Sequence, residues 1–359
     1  MDTISKIKTE HLNLRADYRD SLFREPRLQQ LFLELTSRCN LKCEHCGSSC
    51  GDVPPEDLPA PAIRTLLREV RQHFGTSGLM LCITGGEPLL RKDFFEIMED
   101  ARDLGFAWGM TTNATLVDGD TALRLRNAGM KTVSVSLDGL SETHDAMRGC
   151  TGAFARAVDG IQALTDCGGF QAVQVTTVVS RRNIGELDAL YALLQDLDID
   201  SWRLTAIEPI GRALRHPELM LTPDDHRRLL RFIREERLKG MPLEYGCCHF
   251  LGLEFEREVR DWYFLCAAGR LTAGVMANGD IGACLDIERT EKTIQGNIFR
   301  DSFTDVWKNR FGVFRRSLAA DSPACGNCPA RRFCDGDSRH SWDEEKHEPR
   351  MCMRGILFD

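Results

Sequence analysis

The sequence predicts an α/β protein: a parallel, partly open barrel of six strand-helix units, a partial (β/α)6 TIM-like barrel, followed by a cysteine-rich C-terminal domain. Three observations lead there. Over the first two thirds, short β-branched or apolar runs alternate with amphipathic stretches of helical period, the signature of repeated strand-helix units. The final third loses that alternation and carries clustered cysteines. The length of 359 residues, 42% hydrophobic, suffices for one large domain and a smaller one, each with its own core. The expected boundaries are 1–29 for an N-terminal extension, 30–240 for the barrel and 241–359 for the C-terminal domain.

Strands are expected near 30–35, 79–83, 106–111, 132–137, 172–179 and 201–207. Helices are expected near 60–74, 92–104, 119–129, 153–167, 184–197 and 223–239. The last of these opens at Thr222-Pro223-Asp224-Asp225, with a capping threonine and a proline at the first helical position. In parallel α/β architectures the ligand site lies at the carboxyl ends of the strands, in the strand-to-helix loops. The loop after the first strand holds Cys39, Cys43 and Cys46 in a C-x3-C-x2-C spacing, and so falls at that face. Three thiolates can hold three irons of a four-iron cluster and leave the fourth iron open to a substrate or cofactor. Structural zinc is the alternative for clustered cysteines, and Cys50 is the nearby residue that can complete such a site.

Composition narrows the partners. A formal net charge of -8 argues against nucleic-acid binding through a general basic surface. No apolar run approaches membrane length, and the amino terminus has no charged-then-apolar signal pattern, so a cytoplasmic location is expected with no membrane partner. Fifteen cysteines in a reducing compartment are not a disulfide framework, which leaves metal or redox chemistry.

The cysteine loop resembles that of the radical SAM superfamily. The resemblance implies a [4Fe-4S] cluster whose open iron is chelated by S-adenosylmethionine (AdoMet). One-electron cleavage then yields a 5'-deoxyadenosyl radical that removes a substrate hydrogen. After the second strand, Thr84-Gly85-Gly86-Glu87-Pro88 resembles the segment that holds the methionine amino group. Paired glycines allow close backbone approach, and Glu87 can accept from an ammonium; a tight turn is the plainer reading. Further on, Ser136-Leu137-Asp138-Gly139 and His144-Asp145-Ala146-Met147-Arg148-Gly149 resemble the S-x-D-G and HDxxRG arrangement of relatives. There the serine and arginine contact the AdoMet carboxylate and ribose, which implies those roles for Ser136 and Arg148. Asn113 and Asp138 are weaker candidates, with turn formation the alternative. Val178 or Val179 is a candidate to pack on adenine, otherwise core.

The C-terminal third resembles a SPASM extension, with Cys325, Cys328, Cys334 and Cys352 spaced C-x2-C-x5-C-x17-C, and with Cys266 and Cys284 upstream. The resemblance implies at least one auxiliary iron-sulfur cluster, expected to be [4Fe-4S] and held by the four later cysteines; a zinc knuckle is the alternative. Where relatives place a further cysteine, this chain has Asp335-Gly336-Asp337-Ser338, and none lies between Cys266 and Cys284. The proximal set is left open: absent, incompletely ligated, or completed by Cys247, Cys248 or an oxygen ligand. Cys247 and Cys248 are also candidate hydrogen-atom donors, against the plainer reading as core or ligands.

Three function classes follow. The first modifies a ribosomally made precursor peptide by thioether or carbon-carbon crosslinking, or by epimerisation. It would draw electrons from a reductase or from flavodoxin or ferredoxin. The segment before Leu31 is too short for a leader-recognition domain, so a separate protein or a groove in this chain is expected to bind the leader. The second class acts on a small molecule, such as tetrapyrrole side-chain removal. The third is a non-catalytic metal-binding protein, against which the intact Cys39, Cys43, Cys46 and Glu87 stand.

Overall fold

The computed structural model describes residues 3–52 and 56–358. A helix, α1 (Thr3–Arg24), precedes six parallel strands: β1 (Gln30–Thr36), β2 (Met80–Gly85), β3 (Ala107–Thr112), β4 (Met130–Ser136), β5 (Ala172–Val179) and β6 (Ser201–Ala206). Between and after them run α2 (Ala60–Phe74), α3 (Phe94–Asp103), α4 (Gly119–Asn127), α5 (Ser141–Arg148), α6 (Ala153–Cys167), α7 (Leu187–Asp196) and α8 (Pro223–Leu238). Strand β5 alternates half-buried and buried positions along its whole length, with both faces covered as a parallel sheet requires. The N-terminus of α8 is closed by a capping box in which Thr222 and Asp225 satisfy each other's backbone N–H groups. Buried Trp202 sends its indole N–H to Thr177 Oγ1 at 2.9 Å, so its bulk enters the core without an unpaired donor.

The sheet is longer than six strands. A short β7 (Leu243–Tyr245) pairs parallel with β6. From the C-terminal third, β8 (Thr272–Val275) pairs parallel with the other edge of the barrel at β1, and β9 (Asp280–Gly282) and β10 (Gly296–Asn297) continue antiparallel. The order β10-β9-β8-β1-β2-β3-β4-β5-β6-β7 makes one ten-stranded sheet. One hydrophobic core follows it, from Leu28 to Phe314.

A second, smaller core gathers Leu12 of α1 with Phe250, Phe264 and Ala330, beside Cys328 and Cys334. Helix α1 is fixed there by polar contacts as well. Arg19 Nη1 donates to the Arg332 carbonyl at 2.8 Å, and Lys8 Nζ to the Leu253 carbonyl at 3.1 Å. Among the described residues, no helix is long and apolar enough to cross a membrane.

Candidate active site

At the carboxyl ends of the strands lies a cavity of about 340 Å³. Cys39, Cys43 and Cys46 line it, together with Cys50, Gly85, Gly86, Asn113, Ser136, Arg148 and Val178. Glu208, Cys247, Cys248, Cys284, Asp286 and His340 complete its lining, with Asp286 beside Gly47 of the cysteine loop. Val179, by contrast, is fully buried in the core.

The cysteine loop has no regular secondary structure and is held in shape by its neighbours. The Gly86 N–H donates to the Thr36 carbonyl at 2.7 Å, and the Glu87 N–H to the Arg38 carbonyl at 2.8 Å. A Cβ on Gly86 would lie 1.9 Å from the Arg38 oxygen, so the second loop can run along the first only with glycine there. On the other flank, the Lys42 and Glu44 N–H groups donate to the Arg148 and Met147 carbonyls of α5 at 3.1 and 2.9 Å. Gly149 ends α5 at φ +63°, and a Cβ there would sit 2.7 Å from the Lys42 oxygen.

Several residues singled out from the sequence stand behind the cavity wall rather than in it. The Glu87 carboxylate is fully buried and accepts from the Thr112 hydroxyl at 2.9 Å, the Asn113 N–H at 2.9 Å and the Leu89 N–H at 3.3 Å. Burial pushes its pKa up to about 7, against those donors. Pro88 starts the short 3₁₀ turn that follows. Asn113, which does line the cavity, holds its own turn with its side chain, accepting from the Thr115 N–H at 3.0 Å and donating to Asn40 Oδ1 at 2.9 Å.

The buried Asp138 carboxylate is the hub of the next layer. It faces Arg148 Nη2 at 2.5 Å and His45 Nε2 at 3.1 Å, and accepts from the Val178 N–H at 2.8 Å. Burial alone would raise its pKa, but Arg148 and His45 outweigh it and hold the group well below the usual carboxylate range. His144 accepts the Asp138 N–H on Nδ1 at 3.0 Å, and burial keeps this imidazole neutral, lowered to about 4. Arg148 spans the two layers, since its Nη1 lies 3.5 Å from Cys43 Sγ. Asp145 caps α6 by accepting from the Gly152 and Phe154 N–H groups at 2.5 and 2.8 Å. Ser136 lines the cavity.

One residue of this scaffold carried no role in the sequence. Arg212, 5% exposed, sends Nε to the Cys43 carbonyl at 2.7 Å and Nη1 to the Cys50 carbonyl at 2.7 Å and Asp52 at 3.1 Å. Its own N–H donates to the Cys46 carbonyl at 3.0 Å. The run Pro209-Ile210-Gly211-Arg212-Ala213 was the available signal, and apart from Asp52 the partners of Arg212 are backbone atoms that sequence does not reveal.

The donor set fits a cluster. Three thiols on one loop open into one cavity, and burial together with their neighbours pushes Cys39 up to about 11. Cys43 is raised as well, mainly by burial, whereas a hydrogen bond with Cys50 lowers Cys46 to about 6; an iron cation would hold all three ionised. In the C-terminal third, Cys325, Cys328, Cys334 and Cys352 line a separate cavity of about 290 Å³, so the structure brings these four together. The proximal pair is near enough for Cys266 to raise the Cys284 pKa, after burial, but the two thiols line different spaces. Cys284 faces the main cavity, whereas Cys266 opens onto a small space beneath α1 and accepts the Arg339 N–H at 3.4 Å. Ser338, where relatives place a cysteine, instead offers its hydroxyl to the His249 N–H at 3.3 Å.

Comparison with known proteins accords with this arrangement. Residues 33–194 match the radical SAM superfamily model, and residues 266–329 match that of an iron-sulfur cluster-binding domain, SPASM. The chain is 30% identical over 330 residues to an AdoMet-dependent heme synthase of Methanosarcina barkeri, covering 87% of this chain and 90% of that one. It is 32% identical over 308 residues to the mycofactocin maturase MftC of Mycobacterium tuberculosis, covering 84% and 76%. In fold it is similar to Streptococcus suis SuiB bound to the precursor peptide SuiA, with a TM-score of 0.71, 19% identity and coverage of 92% and 76%. It is likewise similar to anSMEcpe with bound AdoMet, with a TM-score of 0.69, 21% identity and coverage of 88% and 90%.

Proposed function

The chain belongs to the radical SAM superfamily, with a SPASM-type C-terminal part, and from that premise we propose that it modifies a ribosomally made precursor peptide. It is a radical SAM enzyme that uses AdoMet, a [4Fe-4S] cluster at the AdoMet site and an auxiliary iron-sulfur cluster. AdoMet held with its cluster supplies hydrogen-atom abstraction once an electron arrives. In our reading Cys39, Cys43 and Cys46 hold that cluster. The Gly85-Gly86 backbone, Ser136 and Arg148 line the space for the methionine and ribose groups, and Val178 offers an apolar surface to the adenine.

The observation that carries the peptide reading is the 32% identity over 308 residues to MftC, a maturase. We assign electron delivery to a flavodoxin, ferredoxin or reductase, and leader binding to a separate protein or a groove of this chain. The similarity to a heme synthase favours a second reading, removal of tetrapyrrole side chains.

Mass spectrometry separates the two. The reconstituted enzyme is given dithionite, AdoMet and either peptides encoded beside its gene or a tetrapyrrole with propionate side chains. Crosslinking removes two hydrogens from the peptide, and epimerisation leaves its mass unchanged in water but adds about one unit in deuterated water. An unaltered peptide set with a lightened tetrapyrrole would overturn the first reading.

A further inference from the structure

The wall of the main cavity carries a second group of ligand-type side chains besides the cysteine loop. Glu208 follows β6, Cys248 follows β7 and His340 comes from the C-terminal segment, so three distant stretches converge. One Glu208 carboxylate oxygen, the Cys248 sulfur and one His340 ring nitrogen all lie within 4.8 Å of one another. Cys248 Sγ and His340 Nε2 are 3.4 Å apart. Glu208 is 8% exposed and Cys248 7%.

Two further features suit this group to an ion. Glu208 Oε1 is engaged by His249 Nε2 at 2.5 Å, but its buried Oε2 has no hydrogen-bond partner among the described residues. A buried carboxylate oxygen left unpaired is costly, and a cation would satisfy it. The supporting layer is also in place. His249 is held on its other nitrogen by Asp337 at 2.8 Å, which orients it against Glu208. Fully buried Arg260 braces the segment that carries Cys248 by donating to the Gly246, Cys248 and His249 carbonyls at 3.0, 3.0 and 2.7 Å. Hydrogen bonds behind the ligands are what fix a metal site's geometry.

We propose that Glu208, Cys248 and His340 bind a single Zn²⁺ ion whose fourth position opens into the main cavity. One thiolate, one imidazole and one carboxylate form a borderline-soft donor set, which Ca²⁺ and Mg²⁺ do not select. Three protein ligands with one open position is the pattern of zinc sites that take water or substrate. The open position would receive a carboxylate of the substrate and hold it in the cavity that the cysteine loop also lines. That use rests on the substrate reading above; the metal site itself does not.

The test is zinc and iron analysis of the full chain, reconstituted anaerobically, given one equivalent of Zn²⁺ and desalted, with zinc K-edge absorption on the same sample. The expected result is about one retained zinc per chain, with one sulfur at roughly 2.3 Å and nitrogen or oxygen scatterers at roughly 2.0–2.2 Å. His340→Ala and Glu208→Gln should each weaken zinc binding about tenfold or more with iron content unchanged. Three results would overturn the proposal: no retained zinc, an all-sulfur shell, or retention indifferent to both substitutions. The first would leave Cys248 and His340 as a hydrogen-bonded pair. Should both variants lose iron as misfolded chains, the unsubstituted spectrum alone decides. Failure of AdoMet cleavage with the zinc spectrum intact would count against the superfamily chemistry and not against this site.

Discussion

Replacing Arg212 with alanine tests whether the cysteine loop is held from outside rather than by its own sequence. Besides its contact to Asp52 at 3.1 Å, the guanidinium makes two charge-assisted hydrogen bonds, each 2.7 Å, to the Cys43 and Cys50 carbonyls of the loop. At about 1.5 kcal/mol apiece, the lower end for bonds to charged groups, their loss lowers the free energy of opening the loop by about 3 kcal/mol. Each 1.4 kcal/mol is about tenfold, so the open population rises about a hundredfold. Iron lost to a chelator through that opening should follow the open population. The assay is bleaching of the AdoMet-site cluster under a strong chelator, in a Cys325→Ala/Cys328→Ala background so that one cluster is observed. Arg212→Lys, a point charge that reaches one carbonyl at a time, should fall between. Equal bleaching rates for Arg212→Ala and the unsubstituted chain would refute the reasoning, because the loop would then be holding itself.

Three other outcomes are expected. Asp138 has a depressed pKa, so its stabilising effect is complete above the unfolded carboxylate pKa, about 3.9, and is lost as pH falls toward the lower folded value. In urea unfolding of the apoprotein, the deficit of Asp138→Asn should stay constant from neutral pH to about pH 4 and shrink below it. Gly149→Ala forces φ +63° on a residue with a side chain and sets a Cβ 2.7 Å from the Lys42 oxygen. At about 1–2 kcal/mol it should weaken AdoMet binding by calorimetry about five- to thirtyfold. Cys325→Ala/Cys328→Ala should lower total iron from about eight to about four per chain while AdoMet-site iron remains; unchanged iron would remove these cysteines from the cluster.

Much of the barrel was legible because its signals are local. Each strand run is apolar or β-branched in sequence, and Thr222-Pro223-Asp224-Asp225 marks a helix start whose capping box the structure contains. The strands β7 to β10 were not foreseen. They are only two to four residues long and owe their conformation to the edges they complete. Helix α1 was likewise unforeseen, since its buried Leu12 gains its meaning from the C-terminal residues it packs on. In the site, the motifs gave the positions but not the division of labour. The run His144 to Gly149 contains a backbone acceptor, a helix cap, a counterion partner and a close-approach glycine, and of the four it is Arg148 that reaches a thiol of the cysteine loop. Glu208, His249 and Asp337 come from three separate segments and carry no shared spacing.

The pairing of β8 with β1 bears on how this protein is inherited. Gln30, Leu31, Phe32 and Leu33 lie in register with Thr272, Ala273, Gly274 and Val275. A gene fragment ending before Thr272 would encode a barrel with that row of N–H and C=O groups bare, a template for pairing with other chains. The C-terminal part is therefore not freely exchangeable cargo. A donor segment can replace it only by bringing a strand of the same direction and register, so recombination breakpoints that separate residues 30–33 from 272–275 should yield aggregating products.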